Sequence, residues 1–192
     1  MTYDTPLLRG RDLAMWQQGA LILAGTALIA LAAQIAVPMW PVPMTLQGAA
    51  IIAVGLSMGS RMGALTLLTY LAEGAMGLPV FANGGAGLAY IAGPTGGFLV
   101  GFVLMAWIAG LGARAGVLGM TAAALAAAYA LYVPGLAWPL AVASVFGVES
   151  GWAASSAASL WSGWMQPFLI GDAVKAVLAA LLVSGTLRAL KR

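Results

Sequence analysis

Residues 16–37 read WQQGALILAGTALIALAAQIAV. The run holds no Asp, Glu, Lys or Arg, and it sits inside a longer uncharged stretch from Leu13 to Ser60. A helix that crosses a bilayer needs about 20 mostly apolar residues, so this stretch has room for one span and much of a second. Two more uncharged stretches follow, Gly74 to Ala113 and Ala115 to Val148. Over all 192 residues, 62% are hydrophobic and 7% are charged, against roughly 25% charged in an ordinary soluble domain. The mean hydropathy is +1.00. A soluble fold of this length has too little interior to hide that much apolar surface. The composition therefore predicts an all-α membrane protein, with residues 1–192 forming a single integral membrane domain.

Working outward from the first run, six spans are expected. Span one covers about Trp16 to Val37 and stops at Pro38. A Pro-rich link, Pro38 to Thr45, leads to span two, about Leu46 to Met58. Span three covers Met62 to about Ala72. A Gly-rich segment, Glu73 to Gly97, precedes span four, Gly97 to Leu111. Span five, Gly116 to Val133, is expected to break at Pro134-Gly135. Residues Leu136 to Trp164 are less regular, with a short apolar piece at Trp138 to Phe146 and a Ser/Ala-rich piece after it. Span six starts at Pro167, a good first-turn residue, and ends near Leu187.

Charge placement supports that count. Lys and Arg concentrate in cytoplasmic loops. With six spans, Arg9, Arg11, Arg61, Arg114, Arg188, Lys191 and Arg192 fall on one face, and Glu73 and Glu149 fall on the other. Both termini are then expected in the cytoplasm. Trp40, Trp138, Trp152, Trp161 and Trp164 fall near one boundary, and Trp16 and Trp107 near the other, as interfacial aromatic belts do.

The absences narrow the chemistry. There is no Cys and no His, so thiolate metal sites, His-based proteases and Cys nucleophiles are excluded. No Gly-x-x-x-x-Gly-Lys-Ser/Thr run occurs, so ATP, if used, is hydrolysed by another subunit. No cofactor and no nucleic-acid partner is expected, only the lipid bilayer and other proteins.

Three constellations stand out. Lys175 lies about two turns inside span six, with Asp172 three residues before it. A lysine at mid-membrane costs about 2.5–3.5 kcal/mol on insertion scales, and i, i+3 spacing puts the two charges on one helix face. The pair is either a structural ion pair or a polar binding site opening to the outer face. The second constellation is Gly84 to Gly97, too rich in glycine for a robust helix interior. It is either a plain loop or an element lining a cavity, and Asn83 and Tyr90 are its side chains best suited to hydrogen-bond a ligand. The third is the Pro-rich link, either a cap over the site's mouth or a rigid turn. Span one also carries small residues at helical spacing, including Ala20 and Ala24, which serve either internal packing or the docking of a partner helix.

Four stretches carry a resemblance: Pro41-Val42-Pro43-Met44-Thr45-Leu46-Gln47, Tyr70 to Ala82 with Gly77-Leu78-Pro79-Val80-Phe81-Ala82 at its end, Gly93-Pro94-Thr95-Gly96-Gly97-Phe98, and Gly171-Asp172-Ala173-Val174-Lys175-Ala176. In that order they resemble the successive motifs of the BioY family, the substrate-binding S components of energy-coupling factor (ECF) transporters for biotin. The likeness runs from about Gln17 to Leu187 and is loosest over Trp138 to Trp164. It implies a six-helix S component that binds biotin from outside with high affinity. It implies partners too: a transmembrane coupling protein (EcfT-like) and two ABC-type ATPase subunits (EcfA-like), which drive rotation of the whole bundle. Asp172 and Lys175 are then expected at the biotin site, with Asn83 and Tyr90 adding contacts. Thr45 and Gln47 fall in the first loop, where a lid is expected, and Ala20 and Ala24 match the partner-docking motif of the first helix.

Two rivals come from other classes. An ion-coupled secondary transporter for a small carboxylate-bearing solute would use Asp172 or Glu73 as a proton carrier, although no internal repeat of the kind such transporters often carry is evident. An intramembrane aspartyl protease would use Ile170-Gly171-Asp172, but it needs a second intramembrane Asp, and Asp172 is the only candidate.

Overall fold

A computed structural model describes residues 13–146, 152 and 156–190. The chain is all-α apart from one small hairpin. Helix α1 (Met15–Gln34) leads into strand β1 (Ala36–Val37), which pairs antiparallel with β2 (Met44–Thr45). The Pro-rich link is the turn of that hairpin. Helices α2 (Gln47–Met58) and α3 (Ser60–Ala75) follow, separated by Gly59 at φ 81°. After a loop and the short α4 (Gly87–Ile91) come α5 (Gly96–Leu111), α6 (Val117–Ala130) and α7 (Tyr132–Phe146). A single turn, α8 (Ala157–Ser159), runs into a π-helical stretch at Leu160–Met165, and α9 (Leu169–Ala189) ends the described chain.

The centre of the bundle is α5, packed against α2, α3, α6 and α7, while α9 packs on α2 and α6. The sequence explains why α5 sits there. Its faces carry Gly97, Gly101 and Gly110 beside Phe98, Phe102 and Met105, all buried. A Cβ at Gly97 would overlap the Pro134 carbonyl oxygen and Trp138 Cβ, so only glycine lets α5 run this close to α7. Many apolar side chains on the outside stay exposed, among them Leu31 on α1, Val133 on α7 and Leu182 on α9. An exposed apolar belt of this kind suits a lipid solvent.

The six-span expectation is corrected. Among the described residues, three helical segments are long and apolar enough to cross a membrane: Met15–Gln34, Val117–Val142 and Leu160–Ala189. Two more, Gln47–Met58 and Gly96–Leu111, are apolar but shorter. At 1.5 Å per residue, the 12 residues of α2 reach about 18 Å, well short of a hydrocarbon core of about 30 Å. Helix α3, with 16 residues, carries Arg61 and Glu73 and is not among the candidates. Span parity therefore no longer places the termini in the cytoplasm. Arg9, Arg11, Glu149, Lys191 and Arg192, on which the charge pattern partly rests, lie outside the described residues, as does most of the Ser/Ala-rich piece.

Two boundaries shift as well. The break expected at Pro134-Gly135 falls earlier, at the turn of Leu131. Pro134 then lies in the first turn of α7, where a missing N–H is tolerated. The last long helix begins at Leu169 rather than Pro167, because Gln166 to Phe168 form a turn after the π-helical stretch.

Candidate functional site

One end of the bundle gathers the hairpin, the first turns of α2, α5, α7 and α9, and the segment that follows α3. A cavity of about 510 Å³ opens there, counting its unfilled mouth. Phe98, Phe102, Tyr132, Trp164 and Phe168 form its apolar wall, and Val42 to Thr45 of the hairpin cover one side. Asp172 and Lys175 supply its charge.

The two charges face each other as i, i+3 spacing requires. Lys175 Nζ lies 2.6 Å from Asp172 Oδ1, and each side chain is 17% exposed. The Tyr132 hydroxyl donates to Asp172 Oδ2 over 2.6 Å. Lys175 also donates to the Thr45 carbonyl oxygen over 3.0 Å. So α7, α9 and the hairpin are tied at one point, and both carboxylate oxygens already hold a donor. A lone buried charge would be costly here; together the groups make a neutral polar cluster with spare lone pairs on Asp172 and spare N–H on Lys175.

A second chamber adjoins the first and shares Val42, Pro43, Thr45, Phe98 and Phe102 with it. Gln47, Ala82, Tyr90, Thr95 and Leu99 complete its wall. Beyond it lies a wide mouth, about 720 Å³ of open space, bordered by Pro41, Pro43, Asn83, Tyr90 and Pro94 among others. Chamber and mouth share Pro43, Ala82, Tyr90 and Thr95. The Gly-rich segment is thus a cavity-lining element rather than a plain loop.

Hydrogen bonds fix that segment's backbone. Gln34, at the end of α1, donates from Nε2 to the Phe81 carbonyl over 3.0 Å and accepts the Gly84 N–H at Oε1 over 3.0 Å. Tyr70 donates to the Val80 carbonyl over 2.7 Å while accepting from Gln47 Nε2 over 2.8 Å. Phe81 seats its ring against Gly74, where no Cβ fits. It also stacks on Tyr90 with ring centroids 5.2 Å apart. Asn83 takes φ 57°, a left-handed conformation that Asn tolerates better than most residues. Burial pushes the Tyr90 phenol above its usual range, against a weaker lowering by a hydrogen bond with Thr95. The phenol is therefore a neutral donor at physiological pH.

Asp172, Lys175 and Thr45 meet, although Thr45 meets the lysine through its backbone. Gln47 and Tyr90 line the second chamber, but Gln47 is 3% exposed and its amide is engaged by Tyr70. Asn83 stands at the mouth. Ala20 and Ala24 lie on the other half of α1, exposed and away from the cavity. Glu73 accepts a hydrogen bond from Thr26 of α1 over 3.1 Å and does not line the cavity. Residues that sequence reading missed are Tyr132, Trp164 and Gln34. Trp164, a belt residue by its position in the sequence, is 3% exposed and stacked over Phe98, with centroids 6.3 Å apart. Trp138, also a belt residue by position, donates to the Gly93 carbonyl over 3.0 Å.

This architecture has relatives. The BioY family profile matches residues 7–192. The chain belongs to the BioY family. A probable biotin transporter BioY of Pyrococcus horikoshii is 36% identical over 163 residues, 85% of this chain and 91% of that one. The biotin transporter BioY of Rhizobium etli is 33% identical over 183 residues, 90% of each chain. The fold matches a crystal structure of the S-component for biotin from an ECF-type ABC transporter, with a TM-score of 0.70 and 22% identity over 94% of this chain and 95% of that one. BioY membership agrees with the long apolar helices in making this a multi-pass membrane protein of prokaryotic type.

Proposed function

We propose that this chain binds biotin in the cavity between the hairpin, α5, α7 and α9, and serves as the substrate-binding S component of an ECF transporter. Membership of the BioY family supports the substrate. The single observation that carries the site is the Tyr132–Asp172–Lys175 cluster set in an aromatic wall. Small-ligand pockets are mostly apolar with a few convergent polar groups, and this one has that composition. Biotin brings an apolar bicycle, a ureido group with two N–H donors and one carbonyl, and a carboxylate on a four-methylene chain.

Complementarity favours the ureido end of biotin at the cluster. Asp172 already neutralises Lys175, so a ligand carboxylate placed there meets a neutral pair and one anion at close range. A ureido group matches both partners at once. Its N–H donates to Asp172 and its carbonyl accepts from Lys175, while Phe98, Trp164 and Phe168 cover the rings. Thr45, Gln47, Tyr90 and Asn83 then lie along the path of the side chain.

Uptake calls for the remaining partners: an EcfT-like coupling protein and two EcfA-like ATPases, with Ala20 and Ala24 on the exposed face of α1 as a docking surface. The first test is to purify the chain in detergent and identify co-purifying small molecules by mass spectrometry. Biotin is the expected result. A different bound solute, with no biotin binding on titration, overturns the reading.

A further inference from the structure

We infer that the site accepts neutral biotin amides, the carboxamide and its N-alkyl derivatives such as N-propylbiotinamide, as well as biotin itself. This rests on the proposed biotin site and extends its substrate class. The basis is the distribution of cations along the cavity. Lys175 is the only Lys or Arg between residues 115 and 187, and there is none between residues 62 and 113 or between residues 12 and 60. Every loop segment at the cavity end therefore lacks a basic side chain. Arg61, Arg114 and Arg188 sit at the opposite ends of α3, α5 and α9, about 15–25 Å away at 1.5 Å per residue. Among the described residues, the one cation at the site is held by Asp172 at 2.6 Å and by the Thr45 carbonyl at 3.0 Å.

With the ureido ring on that cluster, the side chain runs through the second chamber toward the mouth. The groups there are hydroxyls and amides: Thr45, Thr95, Tyr90 and Asn83. All are neutral, and each can donate or accept. A carboxylate that enters such surroundings gives up water without gaining a cation. An amide carbonyl takes the same donors and has less hydration to lose. The mouth is open, with about 720 Å³ around Asn83, Gly85 and Pro94, so a substituent on the amide nitrogen can leave toward solvent without meeting a wall.

The test uses the full chain in detergent and competition against labelled biotin, with biotin, biotinamide and N-propylbiotinamide as competitors. Both amides are expected to bind within tenfold of biotin. If biotin binds and either amide is more than tenfold weaker, the inference fails while the biotin site stands. If biotin itself does not bind, the site reading fails and takes the inference with it. Lys175→Ala supplies the second arm. It should weaken biotin and biotinamide by the same factor. A loss confined to biotin would mean that Lys175 binds the carboxylate, and would overturn the inference.

Discussion

The two ends of the cavity are built differently. At the inner end the polar groups are an ion pair carried by a regular helix: Asp172 and Lys175 one turn apart on α9, braced by Tyr132. At the mouth they are neutral groups carried by irregular backbone, the segment from Val80 to Thr95, whose shape is held from outside by Gln34 and Tyr70. Polarity and order therefore come from separate sources here. The inner end is ordered by its own polar contacts. The mouth is ordered by residues that do not line it.

Substitutions can break this contrast, and the largest loss is expected at the inner end. Asp172→Ala leaves the Lys175 ammonium and the Tyr132 hydroxyl without their partner, and a half-removed buried pair is strongly unfavourable. Biotin affinity should fall on the order of 100-fold, about 2.8 kcal/mol, by calorimetric titration. Tyr132→Phe keeps the ring in the wall and removes one donor to Asp172. A loss of about fivefold is expected, roughly 1 kcal/mol, the usual net value of one hydrogen bond. A 100-fold loss there would mean that Tyr132 touches the ligand rather than bracing the carboxylate. Gln34→Leu acts at the other end, from outside the cavity. It should cost about threefold in affinity, roughly 0.6 kcal/mol, together with faster hydrogen exchange at the Gly84 amide. Unchanged exchange would show that the mouth is ordered without α1.

The same contrast explains what could be read from the sequence. The charged pair was legible because two ionised residues at i, i+3 inside an apolar run have few uses. Asn83 and Tyr90 were legible only as polar residues among glycines, and the cavity-lining role depended on the fold. Thr45 stands out in the sequence only as part of the first-loop motif, yet its carbonyl holds Lys175, and sequence does not distinguish one backbone oxygen from another. Trp164 and Tyr132 were hidden because an aromatic residue near a helix end reads equally well as a belt or as a wall. Gln34 gave no signal, because its partners are the backbone of residues 81 and 84, some 50 positions away.

Helix positions were read well, with α2 and α5 within a residue of expectation at most ends. The number of spans was not. Apolarity alone makes each segment between turns a candidate span, whereas the 12 residues of α2 are too few to cross a bilayer and α3 carries Arg61 and Glu73.

Titration of biotin into the purified, folded Lys175→Ala variant, beside the unmodified chain, measures whether the Asp172–Lys175 cluster anchors biotin. The predicted result is an affinity at least tenfold weaker, about 1.4 kcal/mol. Equal affinity in the two proteins would contradict the account.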